Sequence, residues 1–306
     1  MGRMRMGVLD IGSNTGHLLV VDAYRGGPPV PAHSFKEVLR LSEHLDGSGA
    51  VSDEGVERLV KYVRAARAQA EDQGCSTVLA FATSAVRDAV NSDAVLEAVH
   101  QATGVEVEVL PGEDEARLTF LAVRRWFGWS SGRLGVFDIG GGSLELAVGA
   151  DEVPSVASSL PLGAGRLTRD WLAAGRDYDD LRRHVRAEIA DVAGAILRGG
   201  RFDRAVATSK TFRSLARICG AAPYEDGPFV RRTLNRTDLV SAVSQLATLG
   251  DDEIATLPGV SLDRAHQMRA GAVVAEATMD LFDLDELEIC PWALREGVLL
   301  RHMDSL

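Results

Sequence analysis

A chain of 306 residues is longer than one hydrophobic core usually organises and is sized for two domains. Its 46% hydrophobic and 25% charged residues are those of an ordinary water-soluble globular protein. A formal net charge of −11 excludes a nucleic-acid binder that relies on diffuse basic potential, so any anionic ligand must be held by a local site. No apolar run approaches the roughly 18 residues of a membrane span, which leaves no membrane partner. Cys75, Cys219 and Cys290 form no CxxC pair. Their odd number argues against a disulfide framework and for a reducing, cytoplasmic setting. The opening MGRMRMGVLD resembles a signal peptide only superficially, because Asp10, Gly12 and Asn14 break the apolar stretch.

Residues 6 to 10 and 17 to 23 predict two strands joined by the turn-rich GSNTG as a hairpin, and a third strand is expected within SFKEVLRLSEHL. Ser52 then caps a helix whose first turn carries Asp53 and Glu54, with Val56, Leu59, Val60 and Val63 at helical spacing. STVLAFA reads as a strand, SAVRDAV and DAVLEAVHQA as helices, VEVEVL as a strand and DEARLTFLAVRRWF as a helix. The pattern is α/β.

After GWSSG the order starts again. RLGVFDI and SLELAVG read as paired strands and VPSVASSLPL as a third, followed by helices at 164 to 173 and 178 to 198. The strand DRAVAT, the helix TFRSLARIC, a helix around TDLVSAVSQLAT, a long helix at 263 to 281, the strand ELEIC and a helix at 293 to 302 complete the chain. The expected domains are therefore 1–128 and 129–306, with the boundary in GWSSG.

The two opening hairpins repeat each other. GVLDIGSNTGHLLV (7–20) and GVFDIGGGSLELAV (135–148) align without a gap at an offset of 128 (135 minus 7) and agree at seven of fourteen positions. Gly and Asn serve positive-φ turns in any protein, but two such turns, each after an aspartate and each opening a domain, point further. Gly140, Gly141, Gly142 and Ser143 expose backbone N–H groups in a concavity suited to phosphate oxygens. Gly12, Ser13, Asn14 and Thr15 would add hydroxyls and an amide from a facing turn. A dinucleotide-binding glycine motif would have to open a helix, whereas Leu144, Leu146 and Val148 continue as a strand.

Such paired hairpins resemble those of the actin, Hsp70 and sugar-kinase superfamily. More narrowly, DIGSNT, ATSAVRDA, LPGEDEARLTF, FDIGGGSLEL, LPLGAGRLT and ALREGVL, in this order over residues 7 to 298, resemble the exopolyphosphatase and guanosine pentaphosphate phosphatase (Ppx/GppA) family. The resemblance implies an α/β fold of two duplicated actin-like (ribonuclease H-like) domains with a cleft between them. It also implies Glu115 as the base that orients and deprotonates water, and Arg87 as the grip on the reacting phosphate. Asp138 and Glu145 would be associated with Mg²⁺, or Mn²⁺ in its place, since magnesium takes one or two carboxylates plus phosphates and waters. Asp10 in the first hairpin either joins the metal through a water or hydrogen-bonds its own turn.

Ser209, Lys210 and Thr211 are expected to bind a distal phosphate, although Lys210 stands where many family members have glycine. Of Arg166, Arg213, Arg231, Arg232, Arg236, Arg264 and Arg269, a candidate basic track, only Arg264 aligns with a family motif and is taken as phosphate-binding. The histidines show no metal spacing, so zinc is not expected. The implied reaction is hydrolysis of the terminal phosphoanhydride of polyphosphate, releasing orthophosphate, with short chains preferred. Guanosine pentaphosphate 5′-phosphohydrolysis, a kinase of the wider superfamily, and a non-catalytic phosphate-ligand sensor remain as alternatives. The resemblance also allows a homodimer.

Overall fold

The computed structural model describes residues 4–24 and 27–306; Met1 to Arg3 of the basic opening stretch lie outside the described residues. The chain divides into two compact units, 1–118 with 294–306, and 119–293.

In the first unit, β1 (Met4–Ile11) and β2 (Thr15–Ala23) form the expected antiparallel hairpin, and β3 (Val30–Val38) pairs with β2. The third strand ends at Val38, and LSEH closes into a 3₁₀ turn, Leu41–His44. The helix α1 (Asp53–Asp72) is capped by Ser52, whose hydroxyl accepts from the Gly55 amide at 3.3 Å. Then come β4 (Thr77–Ala82), the single turn α2 (Ser84–Arg87), α3 (Ser92–Thr103), the two-residue β5 (Glu108–Val109) and α4 (Gly112–Phe127). The sheet order is β3-β2-β1-β4-β5, with β4 and β5 parallel to β1. Leu9, Ile11, Leu18 and Val20 from the sheet share a core with Leu59, Val63, Val95 and Val99 from the helices, and burial of these side chains is what holds the layers together.

The second unit repeats the plan. It has β6 (Leu134–Ile139), β7 (Leu144–Gly149) and β8 (Val156–Leu160), α5 (Ala164–Leu167) continued by a π turn, α6 (Tyr178–Leu197), β9 (Arg204–Ala207) and α7 (Ser209–Ile218). Next are β10 (Thr233–Asn235), α8 (Arg236–Leu246), α9 (Asp251–Ala255), α10 (Met268–Leu281) and β11 (Glu286–Ile289). The final helix, α11 (Leu294–Ser305), packs on β1 of the first unit. The sheet order is β10-β11-β9-β6-β7-β8. Without its edge strand β10, this is the first sheet's order again: third, second and first strands of the hairpin pair, then two parallel strands. The fold is thus the α/β, actin-like duplication expected.

Two particulars differ from the sequence reading. The predicted helix 263–281 starts as a 3₁₀ turn, Leu262–Gln267, and becomes α-helical at Met268. The division into units falls at 118/119 rather than in GWSSG, and α11 returns to the first unit. GWSSG does not behave as a linker because Arg124, 1% exposed, reaches through it. Its guanidinium donates to the carbonyls of Gly128 (3.3 Å), Gly132 (2.7 Å), Gly149 (3.0 Å) and Asp151 (3.3 Å) and to the Ser131 hydroxyl (2.9 Å). The stretch is fastened to the end of β7.

Candidate active site

The two hairpins correspond residue for residue. In the first, Asp10 lies opposite His17; in the second, Asp138 lies opposite Glu145. The 128-residue offset therefore puts a carboxylate pair across the second hairpin where the first has a carboxylate and an imidazole. Glu145 is 6% exposed and accepts from the Ser159 hydroxyl at 3.0 Å, which fixes its rotamer from β8. Asp138 accepts from the Thr208 hydroxyl at the end of β9. Both acids are oriented by hydroxyls, Glu145 by that of Ser159 in β8 and Asp138 by that of Thr208, which follows β9.

The GGGS turn between them is built by the LPLGAGRLT block. The carbonyl of Gly140 accepts from the Ala164 amide (3.0 Å) and that of Gly141 from the Arg166 amide (2.9 Å). The carbonyl of Gly142 accepts from Arg166 Nε (2.8 Å). With all three carbonyls bound to α5, the group left for the turn to offer is backbone N–H, the anion-binding partner. Gly163 makes this approach possible, because a Cβ there would run into the backbone of Gly142 and Ser143. Arg166 is thereby a structural support of the turn.

The first turn is used differently. Ser13 and Asn14 are 5% and 4% exposed. The Ser13 hydroxyl shares a 3.0 Å hydrogen bond with that of Ser84. The Asn14 carbonyl accepts from the amides of Leu39 (2.9 Å) and Arg40 (3.0 Å). Gly12 and Thr15 are the half-buried members, joined by a 3.1 Å bond from the Gly12 amide to the Thr15 carbonyl. Asp10 pairs with Arg295 of α11, Nη1 to Oδ2 at 3.3 Å.

Glu115 and Arg87 meet in the first unit. Glu115, 5% exposed in the first turn of α4, accepts from Arg87 Nη1. Arg87 also donates to Asp88 (3.0 Å) and to the Leu110 carbonyl (3.1 Å). Burial opposes the Arg87 charge, but the facing carboxylates of Glu115 and Asp88 outweigh it and hold the guanidinium above its ordinary pKa.

Around Lys210 cations gather. The Lys210 ammonium is half-buried and donates to the Gly259 carbonyl at 3.1 Å. Burial pushes its pKa down, and the charges of Arg213 and Arg264 push the same way. The residue in the left-handed region that favours glycine is Ser209 (φ 73°), one position before Lys210. Thr211 is 4% exposed, packed under α10 at Gly271. Most of the candidate arginine track is spent elsewhere: Arg231 pairs with Glu286, Arg236 with Asp280 and Arg269 with Asp251. Arg232 donates to four carbonyls of the loop at 222–230, and Arg213 Nε to the Ser209 carbonyl.

Among the described residues no group of three or more His, Cys, Asp or Glu could hold a metal. Asp138 and Glu145 offer a pair of hard carboxylates beside an amide turn, a donor set that fits Mg²⁺ or Mn²⁺ completed by phosphate oxygens and water. No helix among the described residues is long and apolar enough to cross a membrane.

Duplicated sheets of this order, each opened by an aspartate-glycine hairpin, place the chain among the actin-like α/β proteins. Within them it belongs to the Ppx/GppA phosphatase family, whose model matches residues 20–306. The chain is 54% identical to exopolyphosphatase 1 of Mycobacterium tuberculosis over 306 residues, 99% of this chain and 89% of the relative. It is 53% identical to exopolyphosphatase 1 of Mycobacterium leprae, again over 99% of this chain and 90% of the relative. A solved exopolyphosphatase from Cytophaga hutchinsonii superposes with a TM-score of 0.88 over 99% of each chain at 23% identity, which shows the shared fold.

Proposed function

We propose that this phosphatase is an exopolyphosphatase: it hydrolyses the terminal phosphoanhydride of inorganic polyphosphate and releases orthophosphate. The observation that carries the reading is the second hairpin, where a turn with its carbonyls bound to α5 lies between two hydroxyl-oriented carboxylates. The names of the relatives at 54% and 53% identity support polyphosphate as the substrate.

In the second unit the amides of Gly141, Gly142 and Ser143 offer a phosphate-binding turn, and in the first unit Arg87 offers charge-assisted hydrogen bonds to a phosphate. When a phosphate draws on Arg87, the Arg87–Glu115 ion pair loosens and Glu115 becomes the acceptor for a proton from the attacking water. Its burial excludes competing solvent. Lys210 and Arg264 bind the next phosphates of the chain. Asp138 and Glu145 hold a divalent cation, Mg²⁺ or Mn²⁺, which when bound supplies neutralisation of phosphate charge. The net charge of −11 and the ion-paired arginines of the second unit leave few cations for a long polyanion, so short chains are preferred.

Phosphate release is to be measured with Mg²⁺ from tri- and tetraphosphate, long polyphosphate, guanosine pentaphosphate and ATP. Faster turnover of short polyphosphate is expected; exclusive turnover of guanosine pentaphosphate would reassign the substrate, and binding without turnover would make the protein a sensor. The setting proposed is cytoplasmic, and the protein acts as a monomer or homodimer.

A further inference from the structure

The second repeat has a residue at the position Glu115 holds in the first. Leu110-Pro111 follows β5, and the Leu110 amide donates to the Ala82 carbonyl at 3.1 Å. Cys290-Pro291 follows β11, and the Cys290 amide donates to the Ala207 carbonyl at 2.9 Å. Ala82 and Ala207 end the corresponding strands β4 and β9. Counting on from these bonds, Glu115 and Arg295 each lie in the first turn of the helix that follows. One repeat supplies an acid there and the other a guanidinium.

Arg295 reaches Asp10, the counterpart of Asp138, through Nη1 at 3.3 Å, with the two side chains 22% and 19% exposed. Its Nε is buried with no hydrogen-bond partner. Such an N–H is costly to leave unmatched, as those of Arg133 and Arg269 also are, and Asp10 is the carboxylate the structure sets against this guanidinium. The hairpin is also missing the second acid of the metal pair, since His17 stands opposite Asp10 where Glu145 stands opposite Asp138. The charge of Arg295 is felt inside the unit: burial, then Asp10 and Glu37, push the Tyr62 hydroxyl pKa up, and Arg295 opposes them.

We infer that Arg295 is a phosphate-binding residue, the first hairpin's built-in cation in place of a metal, and that Asp10 is the residue that positions it. Asp10 holds Nη1 of the guanidinium, and the part of the Arg295 side chain left exposed is what meets an oxygen of the substrate. This rests on the phosphatase reading above and revises the expectation that Asp10 serves the metal.

The test is binding of inorganic tripolyphosphate by titration calorimetry to Glu115→Gln, whose turnover is expected to be about 10²- to 10⁴-fold slower, and to the same protein carrying Arg295→Met, Arg295→Lys or Asp10→Asn. Arg295→Met is expected to weaken binding tenfold or more, Arg295→Lys to recover part of the loss, and Asp10→Asn to lose less than Arg295→Met. Mn²⁺ affinity, read by electron paramagnetic resonance, is expected to stay within twofold in all three and to fall tenfold or more in Asp138→Asn. Tripolyphosphate affinity unchanged in both Arg295 variants, whatever their melting temperatures, would overturn the inference. So would an Mn²⁺ affinity that falls in Asp10→Asn as far as in Asp138→Asn. If the parent Glu115→Gln protein itself binds no tripolyphosphate, the phosphatase reading fails, and the inference with it.

Discussion

Arg87 and Glu115, 28 residues apart in sequence, form a partly buried ion pair in which the guanidinium of the proposed phosphate grip occupies the carboxylate of the proposed base. In the proposed mechanism each half of the chemistry holds the other at rest, and a phosphate would compete with Glu115 for the same guanidinium. Glu115→Gln is expected to lower kcat by about 10²- to 10⁴-fold, the usual weight of a general base. Arg87→Met is expected to cost about 10²- to 10³-fold, and the double variant less than the product of the two. Steady-state phosphate release on the four proteins checks this; strictly multiplicative losses would mean the pair does not act as a unit.

The turn proposed to bind phosphate depends on Gly163. Gly163→Ala pushes α5 away from the GGGS turn, and a displacement of that kind costs about 10²-fold in turnover. Melting temperature and turnover measured together separate the outcomes: a folded, inactive protein is expected, and a fully active one would mean the turn does not need its carbonyls fixed.

In the proposed site Lys210 exchanges stability for binding. Its folded pKa lies below its unfolded value, through burial first and then Arg213 and Arg264. The folded protein therefore binds this proton more weakly than the unfolded chain. The cost is fully present below the folded pKa and fades as pH rises toward the ordinary lysine value. Lys210→Met is expected to raise the melting temperature at neutral pH and to narrow that gain at high alkaline pH, while raising KM for polyphosphate. Denaturation curves across pH with steady-state kinetics test both halves.

Arg124 carries structure rather than chemistry. Arg124→Met removes a donor from four carbonyls and the Ser131 hydroxyl, of which the Gly128 carbonyl keeps the Ser131 hydroxyl. At about 1–3 kcal/mol for an unsatisfied buried group, a loss of about 3 kcal/mol or more is expected in chemical denaturation. Arg124→Lys, with three donors in another geometry, would restore only part.

Much of the architecture was legible because the hairpin repeat is local and periodic. The 128-residue offset alone pairs Asp10 with Asp138 and His17 with Glu145, and the sheets confirm that register. The ATS at 82–84 and at 207–209 was a further signal: both stretches end a strand, and Thr83 and Thr208 precede α2 and α7. Their registers differ, however, since Thr83 bonds to Ile11 and Thr208 to Phe137, which brings the Thr208 hydroxyl to Asp138. What spacing could not convey was tertiary. Ser13 and Asn14 look like phosphate ligands in GSNT but are buried against their own unit. Three-residue β10 is too short to show a period. The return of α11 to β1, which brings Arg295 to Asp10, leaves no local trace.

The central claim is most directly tested by following end-labelled polyphosphate of defined length on gels with Mg²⁺. Native protein is expected to release the end label as orthophosphate alone, with no labelled oligophosphates, and Glu115→Gln to release it about 10²- to 10⁴-fold more slowly. Fragments from internal cleavage, or undiminished release by Glu115→Gln, would contradict it.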